Sequence, residues 1–460
     1  MWRTYVICVL IGLLLVSTGG NVLLTRQLLA AQTDADRLRQ RLANVPTPAP
    51  APTALAAPAP TALAAPVPTI AASVPDRLLL QQIEDQVATL RGLPPKGQVL
   101  VRFLDQAALQ QYFVDRFNQD YLPSERESDQ KLLTTLGLIK PNETVVQILL
   151  DVLQEQVIGV YNQDDKVMYM VTDRAQFGPE EKVTFAHEYT HALQDQYFDL
   201  TRLAPKHPTN DDRSLAIQAL TEGDATLMQR LWAQEKMTQN EINQLGQGGA
   251  DSELFSAPLF LREQLLFPYS DGFNFIRQIY QTSGYAGVDE VFRNPPESTE
   301  QILHPDKYRA HEKPIEVSLP DLSAQGNLLG PGWRTINSNV LGELDLRLIL
   351  TQWTNSARGV RGAAGWGGDR WALLEKDGQQ ALVIKSVWDT ESDARNFFDT
   401  FSLALKNRFA GAKEEEASVS RQALTAGTNA TEVRRNAATV VVVISFDRPS
   451  AEAIAAAVGT

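Results

Sequence analysis

Val183-Thr-Phe-Ala-His187-Glu188-Tyr-Thr-His191-Ala-Leu193 is the stretch from which the rest of the chain is read. His187 and His191 stand four apart, so on a helix they share one face and point the same way. Two neutral imidazoles held so are half of a zinc site, and Glu188 beside them is placed to take a proton from a zinc-bound water. With 5 His and 26 Glu in 460 residues, H-E-x-x-H arises by chance on the order of 0.003 times.

Composition narrows the ligands further. Cys8 is the single cysteine and lies in the hydrophobic N-terminus, so the globular part holds neither an internal disulfide nor a thiolate metal site. Any metal must use histidine and carboxylate. The net charge of −13 and the lack of a basic stripe exclude a nucleic-acid partner. An apolar fraction of 43% and a charged fraction of 21% are those of a globular protein, too long here for one compact core.

Outward toward the N-terminus, Val157–Tyr161 and Val167–Val171 flank Asn162-Gln-Asp-Asp165, a β-hairpin pattern directly ahead of the His-Glu helix. Extended peptides bind by adding to such an edge. Pro179 suits the first turn of the helix, and Glu180 and Glu181 complement the positive end of its dipole. Earlier still, helices are predicted over Leu78–Arg91, Gln106–Phe117 and Glu143–Gln156, with a strand over Val99–Leu104.

The extreme N-terminus reads as a tail (1–4), a membrane anchor (5–24), a short polar helix (25–45) and a Pro/Ala-rich linker (46–75). Tyr5–Leu24 is mostly apolar and without charge, long enough for a bilayer of about 30 Å. The linker carries nine prolines and a repeat, Pro52-Thr-Ala-Leu-Ala-Ala-Pro58 followed by Pro60-Thr-Ala-Leu-Ala-Ala-Pro66. It cannot build a core and suits a spacer. These features predict a protein of the cell membrane, held by one N-terminal helix with its bulk outside the cytoplasm.

A catalytic zinc keeps three protein ligands and one open position. The third candidate is Glu222, in Ala219-Leu-Thr-Glu222-Gly223-Asp224-Ala225, on a helix predicted over Arg213–Gln234. A carboxylate at the margin of that helix's apolar stripe needs a cation, which two imidazoles across a cleft would present. Gly223 permits close backbone approach, and Asp224 or Thr226 could support the ligands from behind. The region from Asp211 to Asn294 is mainly helical, with loops expected at Gly246–Gly249 and near Pro268. His207 is read as a loop residue.

His187-Glu188-Tyr-Thr-His191 with a glutamate on a downstream helix resembles the gluzincin-type zinc metallopeptidases, the thermolysin-like clan. The resemblance runs from the hairpin near Val157 to about Thr226. It implies Zn2+ bound by His187, His191 and Glu222, with Glu188 as general base acting on a peptide or protein substrate. Two departures stand out: the interval to Glu222 is longer, and Glu-Gly-Asp-Ala replaces the clan's Asn-Glu-x-x-Ser-Asp. The metzincin pattern fails, because Gln194-Asp195-Gln196 stands where Gly-x-x-His would follow. The clan also uses a Tyr or His to stabilise the oxyanion. His304, in Ser298-Thr-Glu-Gln301-Ile-Leu-His304-Pro-Asp-Lys-Tyr308, is the best source, at the stop of a short helix begun by a capping box.

The expected architecture is α+β throughout: a zincin-like domain over 76–325, then a smaller α+β unit over 333–460 beyond the Gly/Pro-rich stretch Gly326–Gly332. Asp377-Gly378 marks a hairpin, Asp393–Phe409 an amphipathic helix, Thr439–Phe446 a strand and Ser450–Val458 a closing helix. That sheet is predicted to carry helices on one face. Gly365-Trp366-Gly367-Gly368-Asp369-Arg370 is followed by a strand rather than a helix, so it is read as a turn and not as a phosphate loop. The rival to an active metallopeptidase is a zincin-like surface-binding protein without turnover, which the intact Glu188 disfavours.

Overall fold

The computed structural model describes residues 77–154, 158–171, 177–205, 209–245, 253–323, 329 and 331–460. The first helix, α1 (Arg77–Arg91), leads into β1 (Leu100–Leu104), α2 (Gln106–Asp120), α3 (Pro123–Leu136) and α4 (Val145–Gln154). Then come β2 (Gly159–Asn162), β3 (Val167–Val171), α5 (Pro179–Phe198), α6 (Asp211–Lys236) and α7 (Leu259–Arg293), two helical segments joined at a kink where Gly284 has a φ of +60°. Two short helices follow, α8 (Thr299–Leu303) and α9 (Pro305–Arg309). The chain is mixed α+β, as its sequence predicts.

The first sheet has the order β1-β3-β2, with β1 parallel and β2 antiparallel to β3. The predicted hairpin is present, and β2 is left as an edge. Ile158 accepts from the Val171 amide at 2.8 Å, so by the alternation of an antiparallel ladder Tyr161 turns its own N–H away from β3.

α5 begins with Pro179 at its first turn, and the Glu181 carboxylate accepts from the Gly178 amide at 2.9 Å. From Val183 to Asp195 every residue of the helix is buried. Such a helix has no solvated face, so its polar side chains need internal partners. α6 crosses it, capped by the Asn210 side chain, and α7 lies along α6. A Cβ at Gly223 would stand 2.4 Å from the Gly272 carbonyl oxygen. The two glycines let the backbones of α6 and α7 meet, as the sequence suggests for Gly223.

The rear part contains β4 (Arg334–Asn339), α10 (Gly342–Trp353), α11 (Ser356–Ala363), β5 (Trp366–Lys376), β6 (Gln379–Trp388) and α12 (Glu391–Arg408). It ends with β7 (Lys413–Ala417), β8 (Arg421–Ala426), β9 (Asn429–Asn436), β10 (Thr439–Ser445) and α13 (Arg448–Val458). Its antiparallel sheet has the order β4-β5-β6-β10-β9-β8-β7.

Three expectations need correction. The rear sheet is covered on both faces: Leu373, Ile384 and Val442 pack with Phe397 and Phe401 of α12, whereas Leu374, Val383 and Val443 pack with Ile454 and Val458 of α13. The unbroken apolar run in β10 leaves no face for water. The loop expected near Pro268 is instead part of α7, where Pro268 is buried between Phe267 and Tyr269. Packing on both sides holds the helix through a residue that removes one of its hydrogen bonds.

The third correction concerns the membrane. The anchor (5–24), polar helix (25–45) and linker (46–75), like His207, lie outside the described residues. Among the described residues no helix is long and apolar enough to cross a membrane. α7 has the length, but it carries Arg262, Glu263, Asp271, Arg277, Asp289, Glu290 and Arg293. Membrane attachment as a partner and the extracytoplasmic placement are therefore set aside.

One buried apolar cluster runs from Leu109 and Phe113 through Leu215 and Phe275 to Trp371 and Val442. A second surrounds α5 and includes Leu80, Val87, Met168, Phe185 and Trp232. The polar side chains of α5 and α6 are held at the margin of these two cores.

Candidate metal centre

His187 and His191 on α5 meet Glu222 on α6, and together they form a group whose ligand atoms could hold a metal ion. The two Nε2 atoms are 3.1 Å apart. Glu222 Oε2 is 3.2 Å from His187 Nε2 and 3.4 Å from His191 Nε2. Ligand atoms at ~2.0–2.1 Å from a tetrahedral zinc stand roughly 3.3 Å from one another. The three atoms fit that triangle.

Hydrogen bonds behind the two imidazoles bear on which nitrogen carries the proton. His187 Nδ1 lies 2.9 Å from Gln229 Oε1, and His191 Nδ1 lies 2.9 Å from Gln194 Oε1. The Gln194 amide is itself oriented, since its Nε2 donates to the Thr221 carbonyl at 3.0 Å and to Asp224 at 2.9 Å. Amide oxygens only accept, so with Gln194 held this way His191 donates from Nδ1 and turns its Nε2 inward, and Gln229 Oε1 suits the same tautomer in His187. Two lone pairs and a carboxylate oxygen then converge in a buried space. Such a cluster needs a cation.

The electrostatics agree. Burial raises the Glu222 carboxyl, but His191 and His187 outweigh it and hold it down at about 2. Burial opposes charge on His191, yet Glu222 prevails and lifts its pKa to about 9. A proton on His191 is thus the competitor of a metal for the same carboxylate.

Glu188 shares the wall of this space and is buried. Its Oε2 accepts from the outward-turned Tyr161 amide of β2 at 2.6 Å. Burial pushes the Glu188 carboxyl up and Glu222 adds to the push, while the imidazoles and the Tyr161 amide pull it down. The Tyr161 hydroxyl donates to Asp195 at 2.7 Å, one turn beyond His191. Tyr161 therefore joins the edge strand to both ends of the histidine segment.

His304 stands elsewhere. α8 docks on the start of α6, where the Thr299 amide donates to Asp212 at 3.0 Å, ten residues and about 15 Å of helix before Glu222. His304 Nε2 lies 3.0 Å from Glu343 of α10, whose hydrogen bond raises the imidazole's pKa. Tyr308 donates to the Asn294 carbonyl at 2.7 Å. A second acidic group, Glu300, Glu312 and Asp389, has ligand-like spacing, but Lys307 Nζ sits among its oxygens at 2.7, 2.5 and 2.6 Å. Its cation is already an ammonium.

Sequence reasoning brings His187, Glu188, His191 and Glu222 to one place but misses Gln194, Gln229, Arg91 and Tyr161. Gln194 and Gln229 were within reach, being one turn after His191 and two turns after Glu222. Nothing local marks Arg91, whose Nε contacts Asp224 from 133 residues away. The Gly365–Arg370 segment opens β5, where Trp366 is buried and donates to Asp369 at 3.0 Å.

Residues 331–455 match the model of a family described as a domain of unknown function, DUF8575. That match lies in the rear part, clear of the candidate centre. Comparison with curated proteins finds no match. A solved structure from Chloroflexus aurantiacus, described as a "putative hydrolase with a novel fold", is similar at a TM-score of 0.36 and 18% identity. The similarity covers 52% of this chain and 92% of that one, and is too slight to bear on the site.

Proposed function

We propose that the chain is a zinc-dependent metallopeptidase that hydrolyses peptide bonds at the centre formed by His187, His191 and Glu222. The observation that carries this reading is the convergence of two imidazoles, each backed by a glutamine amide, and a carboxylate at 3.1–3.4 Å, with a second carboxylate in the same wall. A site serving structure alone has no use for Glu188. Bound there, Zn2+ would supply Lewis acidity toward a peptide carbonyl and lower the pKa of water toward ~7.

The protein's own groups supply the rest. Gln229 and Gln194 orient the imidazoles, and Asp224 orients Gln194. Glu188 takes a proton from the attacking water and passes it to the leaving amine. Burial favours its protonated form, which suits the second half of that task. The substrate lies along the β2 edge, where addition of an extended segment would replace the contact between Glu188 and the Tyr161 amide. His304, engaged by Glu343, is given no part, and we propose a zincin-like unit over 76–325 around the site with an accessory unit over 333–460 that shares its apolar core.

The test uses the full chain. One zinc per chain together with casein cleavage abolished by chelator and restored by zinc is the expected result. Stoichiometric zinc with no cleavage of casein or a peptide library would favour the non-catalytic binding protein. Chelator-insensitive cleavage would remove the metal from the mechanism.

A further inference from the structure

Far from the histidines, the C-terminal ends of α3 and α12 meet beside a cavity of about 470 Å³. Its lining includes Gly137, Ile139, Lys140, Trp353, Arg408 and Phe409. α3 stops at Gly137, whose φ of +68° is the left-handed conformation that closes many helices. A Cβ there would stand 2.7 Å from Arg408 Nε and 2.8 Å from Trp353 Cζ2. Glycine is thus what allows a guanidinium and an indole to press against the helix end.

Arg408 is unusual among the charged residues. A guanidinium has five N–H donors. Among the described residues it forms one hydrogen bond, from Nη2 to the Thr134 carbonyl at 3.4 Å, and the group lies 4.6 Å from the centre of the Phe409 ring. No carboxylate among the described residues pairs with it, and burial alone lowers its pKa to about 10. The carbonyl end of α3 offers roughly half a negative charge. That explains why the arginine sits where it does, and leaves most of its donors facing the open cavity and not another described residue. Lys140 at the rim is neutralised by Glu143 at 2.8 Å, so the balance inside the cavity is positive.

Buried or half-buried charges are normally paired, and an arginine fork suits a carboxylate or phosphate with two parallel hydrogen bonds. The walls beside it are flat and apolar: the Trp353 indole, whose Nε1 is tied to the Leu136 carbonyl at 3.2 Å, and the Phe409 ring. We propose that this cavity binds a small organic oxyanion, a carboxylate or phosphate borne on a flat apolar body, with Arg408 holding the oxyanion and Trp353 and Phe409 the body. The ligand would bridge the end of α3 to the ends of α10 and α12. The inference is independent of the metal centre.

Thermal unfolding and calorimetry of the full chain test it, with benzoate, phenyl phosphate and inorganic phosphate as probes and sodium chloride matching ionic strength. Benzoate or phenyl phosphate should raise the melting temperature saturably, as any ligand of the folded state does. Either of the two identifies the head group and supports the site. Inorganic phosphate should bind roughly tenfold more weakly or worse, because it leaves the aromatic faces uncovered. Arg408→Gln should weaken binding at least tenfold (~1.4 kcal/mol), with at most a small fall in the unliganded melting temperature from the lost contact to the end of α3. Arg408→Lys keeps the charge without the fork and should fall between, which serves if the glutamine variant folds poorly. No saturable shift in the wild type, or equal shifts in wild type and both variants, would overturn the proposal.

Discussion

Arg91 Nε lies 3.1 Å from each carboxylate oxygen of Asp224, and neither side chain is exposed. The same guanidinium reaches Asp289 at 2.7 Å and lies 4.5 Å from the Tyr285 ring centre. Asp224 in turn holds the Gln194 amide, which holds His191. A single polar chain therefore runs from α1, through α6, to the candidate metal ligand.

That chain predicts two separable effects. Arg91→Met strands Asp224 in the interior and should cost about 3–5 kcal/mol in urea unfolding. Gln194→Ala should leave most stability in place but weaken zinc about 10–100-fold in competition with a chelating indicator. Unchanged zinc affinity in Gln194→Ala would show that the amide does not set the imidazole.

Glu188→Gln keeps an oxygen for the Tyr161 amide while removing the base. It should retain one zinc per chain and lose about 10²–10⁴-fold in peptide turnover. Turnover equal to wild type would dismiss Glu188 as the proton acceptor.

Gly223→Ala places a Cβ 2.4 Å from the Gly272 carbonyl oxygen, and neither backbone can yield alone. The variant should lose about 1–3 kcal/mol, and zinc affinity should fall with it because Glu222 precedes the wedge. Measured stability within error of wild type would show that the two helices part freely.

Burial raises the Glu300 carboxyl to about 7, with Lys307 opposing it and Glu343 and Asp389 adding to it. Glu312 also faces the ammonium, and His304 faces Glu343. Because the folded pKa exceeds the ordinary 4.5, this group's contribution is fully present below pH 4.5 and is lost as pH rises through about 7. The loss is on the order of 3 kcal/mol. Glu300→Gln should therefore lose less stability than wild type between those limits, with the difference read from paired urea titrations. Parallel curves would place the titration elsewhere.

Local periodicity made much of this fold legible. The unbroken apolar run of β10, the Asp377-Gly378 turn and the stripe of α12 each announce their element, and the i, i+4 histidines announce the candidate centre. Glu222 was reachable because a helix margin is no place for an unpaired carboxylate. α3 was missed, since Pro123–Thr135 is largely polar and its few leucines crowd the last turn. His304 was misjudged because a rigid cap says nothing of which surface it faces. Arg91 and Asp224 could not be paired at all, for their meeting depends on how α1 lies across α5 and α6.

The position of β10 has a further consequence. It follows every other described strand in sequence, yet it stands between β6 and β9, and its valines fill both hydrophobic layers. During translation, at about 5–20 residues per second, β6 and β9 emerge with a gap between them and wait for Thr439–Ser445 to leave the ribosome. The earlier helices share a core with that gap. Closure of that sheet should thus be abrupt, with chaperone demand and protease sensitivity concentrated in nascent chains that stop short of β10.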